Sequence, residues 1–163
     1  MNTIFIVSLA IYQTKFWYHL IKLVKIKNYK IKLIIFDTES KKFLESKLFD
    51  NFINLAFNSK KNNLKSFSEI KKKINKENIK NINQILKHEK VFFGKRNNFQ
   101  ILNHYFDVFD FFNNFEEFHS RNNIFIQEIG GFVPNLVTYQ FCKKKKSITI
   151  LSKQLFLQIM FIF

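Results

Sequence analysis

The stretch TIFIVSLAIYQTKFWYHLIKLVKIKNYKIKLIIFDT, residues 3–38, decides the fold. Its opening, Ile4-Phe5-Ile6-Val7-Ser8-Leu9, is the near-continuous apolar run of a central parallel strand buried on both faces. Between residues 14 and 27 the pattern changes. Trp17, Leu20, Ile21 and Val24 recur at steps of three and four, while Lys15, Lys22, Lys25 and Lys27 fall outside the stripe, so an amphipathic helix is predicted there. Asn28 is placed to stop it. A second apolar run over residues 31–36 ends at Asp37 and a polar Thr38-Glu39-Ser40 turn. Strand, helix and strand in so short a span form a βαβ unit, whose right-handed crossover requires a parallel sheet. The expected class is α/β, a Rossmann-like parallel sheet flanked by helices.

A second module of the same kind lies further along. Ile124-Phe125-Ile126 reads as a short strand, residues 127–132 as a glycine-containing loop, and residues 134–143 as a helix. Pro134 suits the first helical turn, where its missing N–H costs nothing. Another strand is expected to follow, as after the first helix. Between the modules the longest periodic stretch runs over 98–120. Leu102, Tyr105, Phe106, Phe109, Phe112 and Phe115 share one broad face, with Asp107, Asp110, Asn114 and Glu117 elsewhere. Such a stripe can stack bases or seat a partner, but at helical spacing core packing is the commoner use. In the middle, Phe43-Leu44 and residues 48–57 suggest a short helix and an irregular apolar segment, and residues 58–63 a loop. Ser66 with Glu69 makes a capping-box pattern ahead of Ile70 and Ile74. Ile79, Ile82, Ile85 and Leu86 continue helical spacing up to a break at Gly94.

A chain of 163 residues, 47% of them apolar and 23 of them Phe, is enough for one domain with a packed core. The formal charge of +15 raises nucleic-acid binding. Against it, Arg96 and Arg121 are the only arginines among 27 basic residues, and Arg provides the fork that fits phosphates and guanine edges. Lys, Asn, Ile and Phe all have A- and T-rich codons, so their joint surplus reads as base composition. No acidic residue precedes Asp37, whereas residues 99–142 are net negative. The basic share fits a solvated lysine surface, anionic lipid headgroups or nucleotide phosphates. With Cys142 as the lone cysteine, an internal disulfide and a CxxC pair are excluded, and a reducing cytoplasm is expected. The apolar start, residues 3–12, lacks a basic n-region and a small-residue cleavage site, and falls short of the roughly 20 residues that span a bilayer. A buried first strand explains it.

In open parallel sheets ligands gather beyond the carboxyl ends of the strands. Three segments stand there: Tyr12-Gln13-Thr14, Asp37-Thr38-Glu39 and Gln127-Glu128-Ile129-Gly130-Gly131. Gly130 and Gly131 would let backbone approach a phosphate or sugar at the N-terminus of the Pro134 helix; a tight turn is the plainer explanation. No GxGxxG or GxxxxGK[ST] pattern accompanies them, which argues against a self-sufficient dinucleotide or ATP site. Glu128 suits a general base or a hydroxyl-binding carboxylate, or else a capping or surface residue. Asp37 suits a ribose hydroxyl, or simply the start of a turn. The candidate substrate-binding set is thus Gln127, Gly130, Gly131, Tyr12, Gln13 and Asp37, with Glu128 the catalytic candidate. His19, His88, His104 and His119 show no ligand spacing, so no metal is expected. No serine or cysteine sits in a nucleophile elbow.

The segment IFIQEIGGFVPNLVTYQFCK, residues 124–143, and the opening βαβ unit resemble bacterial capsule or surface polysaccharide biosynthesis proteins. These are similar to glycosyltransferases of two Rossmann-like domains, with the nucleotide-sugar donor held mainly by the second. The resemblance spans roughly residues 3–143 and is strongest at the two ends. It implies an N-terminal part that is inactive alone, with no cofactor of its own and with Gln127, Glu128, Gly130 and Gly131 lining the acceptor side of a cleft. The implied partners are a nucleotide sugar and a glycan acceptor, and the implied place is the cytoplasm, against the inner face of the membrane. In that family a strand follows the Cys142 helix. Here KKKKSITILSKQLFLQIMFIF, residues 143–163, follows instead. A run of Lys codons is a run of A bases, where frames slip easily, and codons exist for residues 147–161 that restore the family pattern when read one base earlier. The expected division is therefore a Rossmann-like domain over 1–142 and an out-of-frame tail over 143–163. The rival account makes the tail a membrane-surface anchor, since about nine terminal apolar residues cannot span a bilayer. The rival function for the chain is a non-enzymatic basic module holding an anionic membrane or nucleic acid.

Overall fold

The computed structural model describes residues 2–24, 26, 28–56, 66–77, 79, 82–93 and 97–152. The expected loop at 58–63, the break at Gly94 and residues 153–163 lie outside them. Five parallel strands form one sheet in the order β3-β2-β1-β4-β5, with β1 Asn2–Ser8, β2 Tyr29–Ile35, β3 Phe52–Asn54, β4 Ile124–Glu128 and β5 Ile148–Ser152. The α/β, Rossmann-like arrangement read from residues 3–38 is the one observed. β1 sits at the centre, and residues 3–8 are all buried, as the unbroken apolar run requires.

Six helices flank the sheet among the described residues: α1 Ile11–Leu23, α2 Thr38–Ser46, α3 Phe67–Lys76, α4 Ile82–Phe93, α5 Asn98–Asn114 and α6 Val133–Lys145. The steps β1-α1-β2 and β4-α6-β5 run in opposite directions along the sheet. Right-handed crossovers then put α1 and α6 on opposite faces, and the two cores agree. On one face Trp17 and Tyr18 of α1 and Leu44 of α2 pack on Ile4, Ile6, Leu33 and Ile35. On the other, Phe5, Val7, Ile34 and Phe125 meet Ile70, Ile85 and the inward sides of α5 and α6. The centre of this larger core is aromatic. Phe5, Phe112, Phe118, Phe125 and Phe141 are all fully buried, and Phe118 lies 4.8 Å from Phe5 and 4.7 Å from Phe112 between ring centroids. The Leu102-to-Phe112 stripe is core, as its spacing predicts.

Several elements differ from the sequence reading, each for a local reason. α1 starts at Ile11, three residues before the expected start at 14, because its first turn carries the polar Gln13 and Thr14 inward rather than an apolar stripe. The expected Thr38-Glu39-Ser40 turn is the first turn of α2. Asp37 is its N-cap, accepting the Ser40 N–H at 2.7 Å. The irregular segment at 48–57 contains β3, a three-residue edge strand paired with β2. α5 ends at Asn114, short of the expected 120, and residues Glu116–His119 form a 3₁₀ turn. The step of three from Phe115 to Phe118, closed by the Phe118 N–H on the Phe115 carbonyl at 3.0 Å, matches that tighter helix. The Ser66–Glu69 capping box is formed.

The expected boundary at residue 142 falls inside α6, which runs on to Lys145 and ends at Lys146 in the left-handed region, φ 56°. Residues 148–152 then pair with β4 from Ile124↔Ile148 to Glu128↔Ser152. The strand expected after the α6 helix is therefore supplied by the first half of the tail itself.

Candidate site at the tips of β1 and β4

The direction of winding reverses between β1 and β4, and their carboxyl ends flank the crevice that this reversal opens in parallel sheets. Gln13, at the third position of α1, bridges it. Its Oε1 accepts the Leu9 N–H at 2.6 Å, and its Nε2 donates to Glu128 Oε2, also at 2.6 Å. Those neighbours fix the amide's orientation, since a flipped Gln13 would set oxygen against carboxylate and NH₂ against N–H. Gln13 is buried and Glu128 half-buried. Loss of water around the Glu128 carboxyl raises its pKa above the ordinary 4.5, and the bond from Gln13 pulls the other way without cancelling the effect.

β4 is two residues longer than its apolar core, so Gln127 and Glu128 belong to the strand rather than to a loop. Alternation then sends them to opposite faces. Glu128 turns toward α1, whereas Gln127 lies with Phe125 on the α5–α6 side, 2% exposed, its Oε1 without a hydrogen-bond partner among the described residues. Asn135, in the first turn of α6, donates through Nδ2 to the Glu128 carbonyl at 3.1 Å. Its Oδ1 is likewise buried and unpartnered.

The two glycines serve packing. A Cβ on Gly130 would stand 2.8 Å from Asn135 Nδ2, and one on Gly131 would stand 2.6 Å from the ring of His88 on α4. The α6 N-terminus, which the glycine pair would have opened to a phosphate or sugar, is already engaged. The buried carboxylate of Glu89 accepts the Val133 N–H at 2.8 Å, and Pro134 has no N–H to offer. The Glu89 side chain therefore takes the first free N–H of the helix end.

Asp37 stands apart from this pair, at the tip of β2. Besides capping α2 it accepts the Ser40 hydroxyl, whose oxygen lies 2.7 Å from Thr14 Oγ1, which lies 2.7 Å from Ser8 Oγ. Each hydroxyl has one proton, and Ser40 gives its own to Asp37, so Thr14 donates to Ser40 and Ser8 to Thr14. All three hydroxyl residues are fully buried. They tie the first turns of α1 and α2 to the end of β1, and so hold Gln13 in place. Tyr12 projects outward, 61% exposed, beside this arrangement.

Of the sequence candidates, the structure brings Gln13 and Glu128 into contact, packs Gly130 against Asn135 and Gly131 against His88, turns Gln127 to the far face and gives Asp37 to α2. Thr14 entered the sequence reading only within the segment after β1, and Ser8, Ser40, Glu89 and Asn135 were not singled out: small polar residues beside a strand end read as turn formers, and Glu89 and Asn135 lie within helices. No three His, Cys, Asp or Glu side chains gather into a metal-holding group among the described residues. No helix among them is long and apolar enough to cross a membrane.

No family model, curated protein or solved structure matches the chain.

Proposed function

We propose that this chain is the N-terminal, Rossmann-like part of a surface-polysaccharide glycosyltransferase-like protein of the cytoplasm, inactive alone, whose β1–β4 crevice takes the hydroxyl groups of a glycan acceptor. The observation that carries this reading is the Gln13–Glu128 pair. A half-buried carboxyl with a raised pKa, held in one orientation at a topological switch point, is suited to accept a proton from a sugar hydroxyl. The occupied N-terminus of α6 supports the second half of the reading, that the nucleotide-sugar phosphates are held elsewhere.

The Lys143–Lys146 frame slip belongs to the same proposal, and the genomic DNA beyond those codons tests it. An open frame encoding a second Rossmann-like domain supports the reading, and stops in all three frames count against it. Binding is tested by two-dimensional NMR of the chain titrated with neutral oligosaccharides and, separately, with uridine diphosphate. The expected result is shifts at Gln13 and Glu128 with the saccharide alone. Shifts confined to the α6 N-terminus with the diphosphate would overturn the assignment.

A further inference from the structure

Cover fades across one face of the sheet. Along the row set by strand register, Leu33, Ile6 and Ile126 are followed by Ile150, and exposure rises from 0% and 4% to 48%. The row below, Ile31, Ile4 and Ile124, ends at Ile148, 54% exposed. The cause is topological. α1 and α2 pack over β1 and β2 on this face, while α6, which connects β4 to β5, lies on the other. The side chains of Ile148 and Ile150 therefore project from sheet that no described helix covers.

A second apolar cluster opens at the same, N-terminal edge of the strands, where the chain leaves α1 for β2. Leu23, Val24 and Ile26 are 82%, 41% and 42% exposed. Both clusters come from acid-free sequence: neither residues 1–36 nor residues 129–163 contain an Asp or Glu. Exposed cations stand along the same rim at Lys22, Arg121 and Lys146. Leu48 also projects from this edge, but beside Asp50 and Glu45, and is left out on that account. Toward the α5–α6 face, Glu77 is paired with Lys144 at 2.9 Å and Glu117 with Lys32 at 2.7 Å, while Glu116 follows α5.

Exposed aliphatic side chains ringed by lysine and arginine without carboxylates fit an anionic lipid surface. Lysine stems lie along apolar surface while their ammonium groups meet headgroup phosphates, and the aliphatic groups enter the acyl boundary. A second copy of this chain would instead oppose the same cations to themselves. We infer that the N-terminal strand edge, with the open face of β5, is a docking surface for anionic membrane. It leaves the Gln13–Glu128 tips at the far end of the strands turned to solvent. This inference does not rest on the glycosyltransferase reading, and it takes residues 148–152 as strand β5 of the protein rather than as out-of-frame sequence.

The test is co-sedimentation of the full chain with phosphatidylcholine vesicles, with and without phosphatidylglycerol. Binding is expected only to the anionic vesicles and should weaken as salt rises. Ile148→Glu with Ile150→Glu, and separately Leu23→Glu with Ile26→Glu, should each reduce it about tenfold with the melting temperature unchanged. Should either pair fail to fold, Lys22→Gln with Lys146→Asn alters no buried group and should still lower binding several-fold. Equal binding to neutral vesicles, no binding at low salt, or binding that survives all three variants would overturn the inference. So would a concentration-dependent dimer abolished by the Ile148 and Ile150 changes, which would give the face to a second copy.

Discussion

Glu89 and Val133 meet across 44 residues, the carboxylate accepting the first backbone N–H of α6 at 2.8 Å in a buried setting. A charge at a helix N-terminus is favourable, and a buried N–H without an acceptor costs free energy. Glu89→Ala should therefore destabilise the fold by about 1–3 kcal/mol in chemical denaturation, while Glu89→Gln, which keeps an acceptor but not the charge, should lose about 1 kcal/mol. An alanine variant as stable as the parent would show that the burial of the carboxylate outweighs its bond to α6.

The Gln13 bridge makes a related prediction at the strand tips. Gln13→Ala would strip the Leu9 N–H of its acceptor and Glu128 of its donor together. A loss of about 1–3 kcal/mol is expected. Gln13→Glu should be worse than Gln13→Ala, since it sets two carboxylates against each other. Equal stability of the two variants would mean that Glu128 turns away once Gln13 is gone.

Glu128 also ties stability to pH. Its folded pKa lies above the ordinary 4.5 because burial disfavours the anion. Between the two values the folded chain holds more protons than the unfolded one, so this group's contribution falls as pH rises from about 4.5 through the folded value. Stability measured by denaturation in that window should decline with pH in the parent relative to Glu128→Gln. Parallel curves for the two proteins would dismiss the shift.

How much of this was legible follows from distance along the chain. β1 and the second half of β2 are short, β-branched apolar runs of strand length on either side of an amphipathic helix, and the Ser66–Glu69 box is a local motif with a local partner. α2 was legible only as a short helix around Phe43-Leu44, because TESKKFLES offers no other apolar face, and its start was read as a turn because Asp37 opens a turn and caps a helix with equal ease. The site was half legible. Its position followed from the sheet, and Gln13 and Glu128 from standing at strand ends. Their contact, 115 residues apart, and the seat of Glu89 beneath α6 depend on tertiary packing that no local pattern encodes.

The glycine pair distinguishes packing from ligand approach. Gly131→Ala would drive a methyl group to 2.6 Å from the His88 ring, and relief requires the ring to turn or α4 to give way. A cost of about 1–3 kcal/mol is expected. Gly130→Ala meets only the end of the Asn135 side chain and should cost less. Combining Gly131→Ala with His88→Ala should recover part of the loss, a coupling that a double-mutant cycle reads directly. Strict additivity would show that Gly131 answers to something other than His88.

Cys142 reports on whether β5 stays docked. The thiol is 1% exposed, and burial pushes its pKa up to about 11 against a smaller lowering by a hydrogen bond with Thr149 of β5. Little thiolate forms at neutral pH, so a disulfide reagent should react on the order of a hundredfold more slowly with the native chain than with the denatured one. Ile150→Pro removes the N–H at the middle of β5 and introduces a ring that a sheet tolerates poorly. If β5 shields Cys142, labelling of this variant should accelerate while α1 and β1 remain protected in hydrogen exchange. Unchanged labelling would mean that α5 and α6 alone bury the thiol, and that β5 contributes pairing to the sheet without cover to the core.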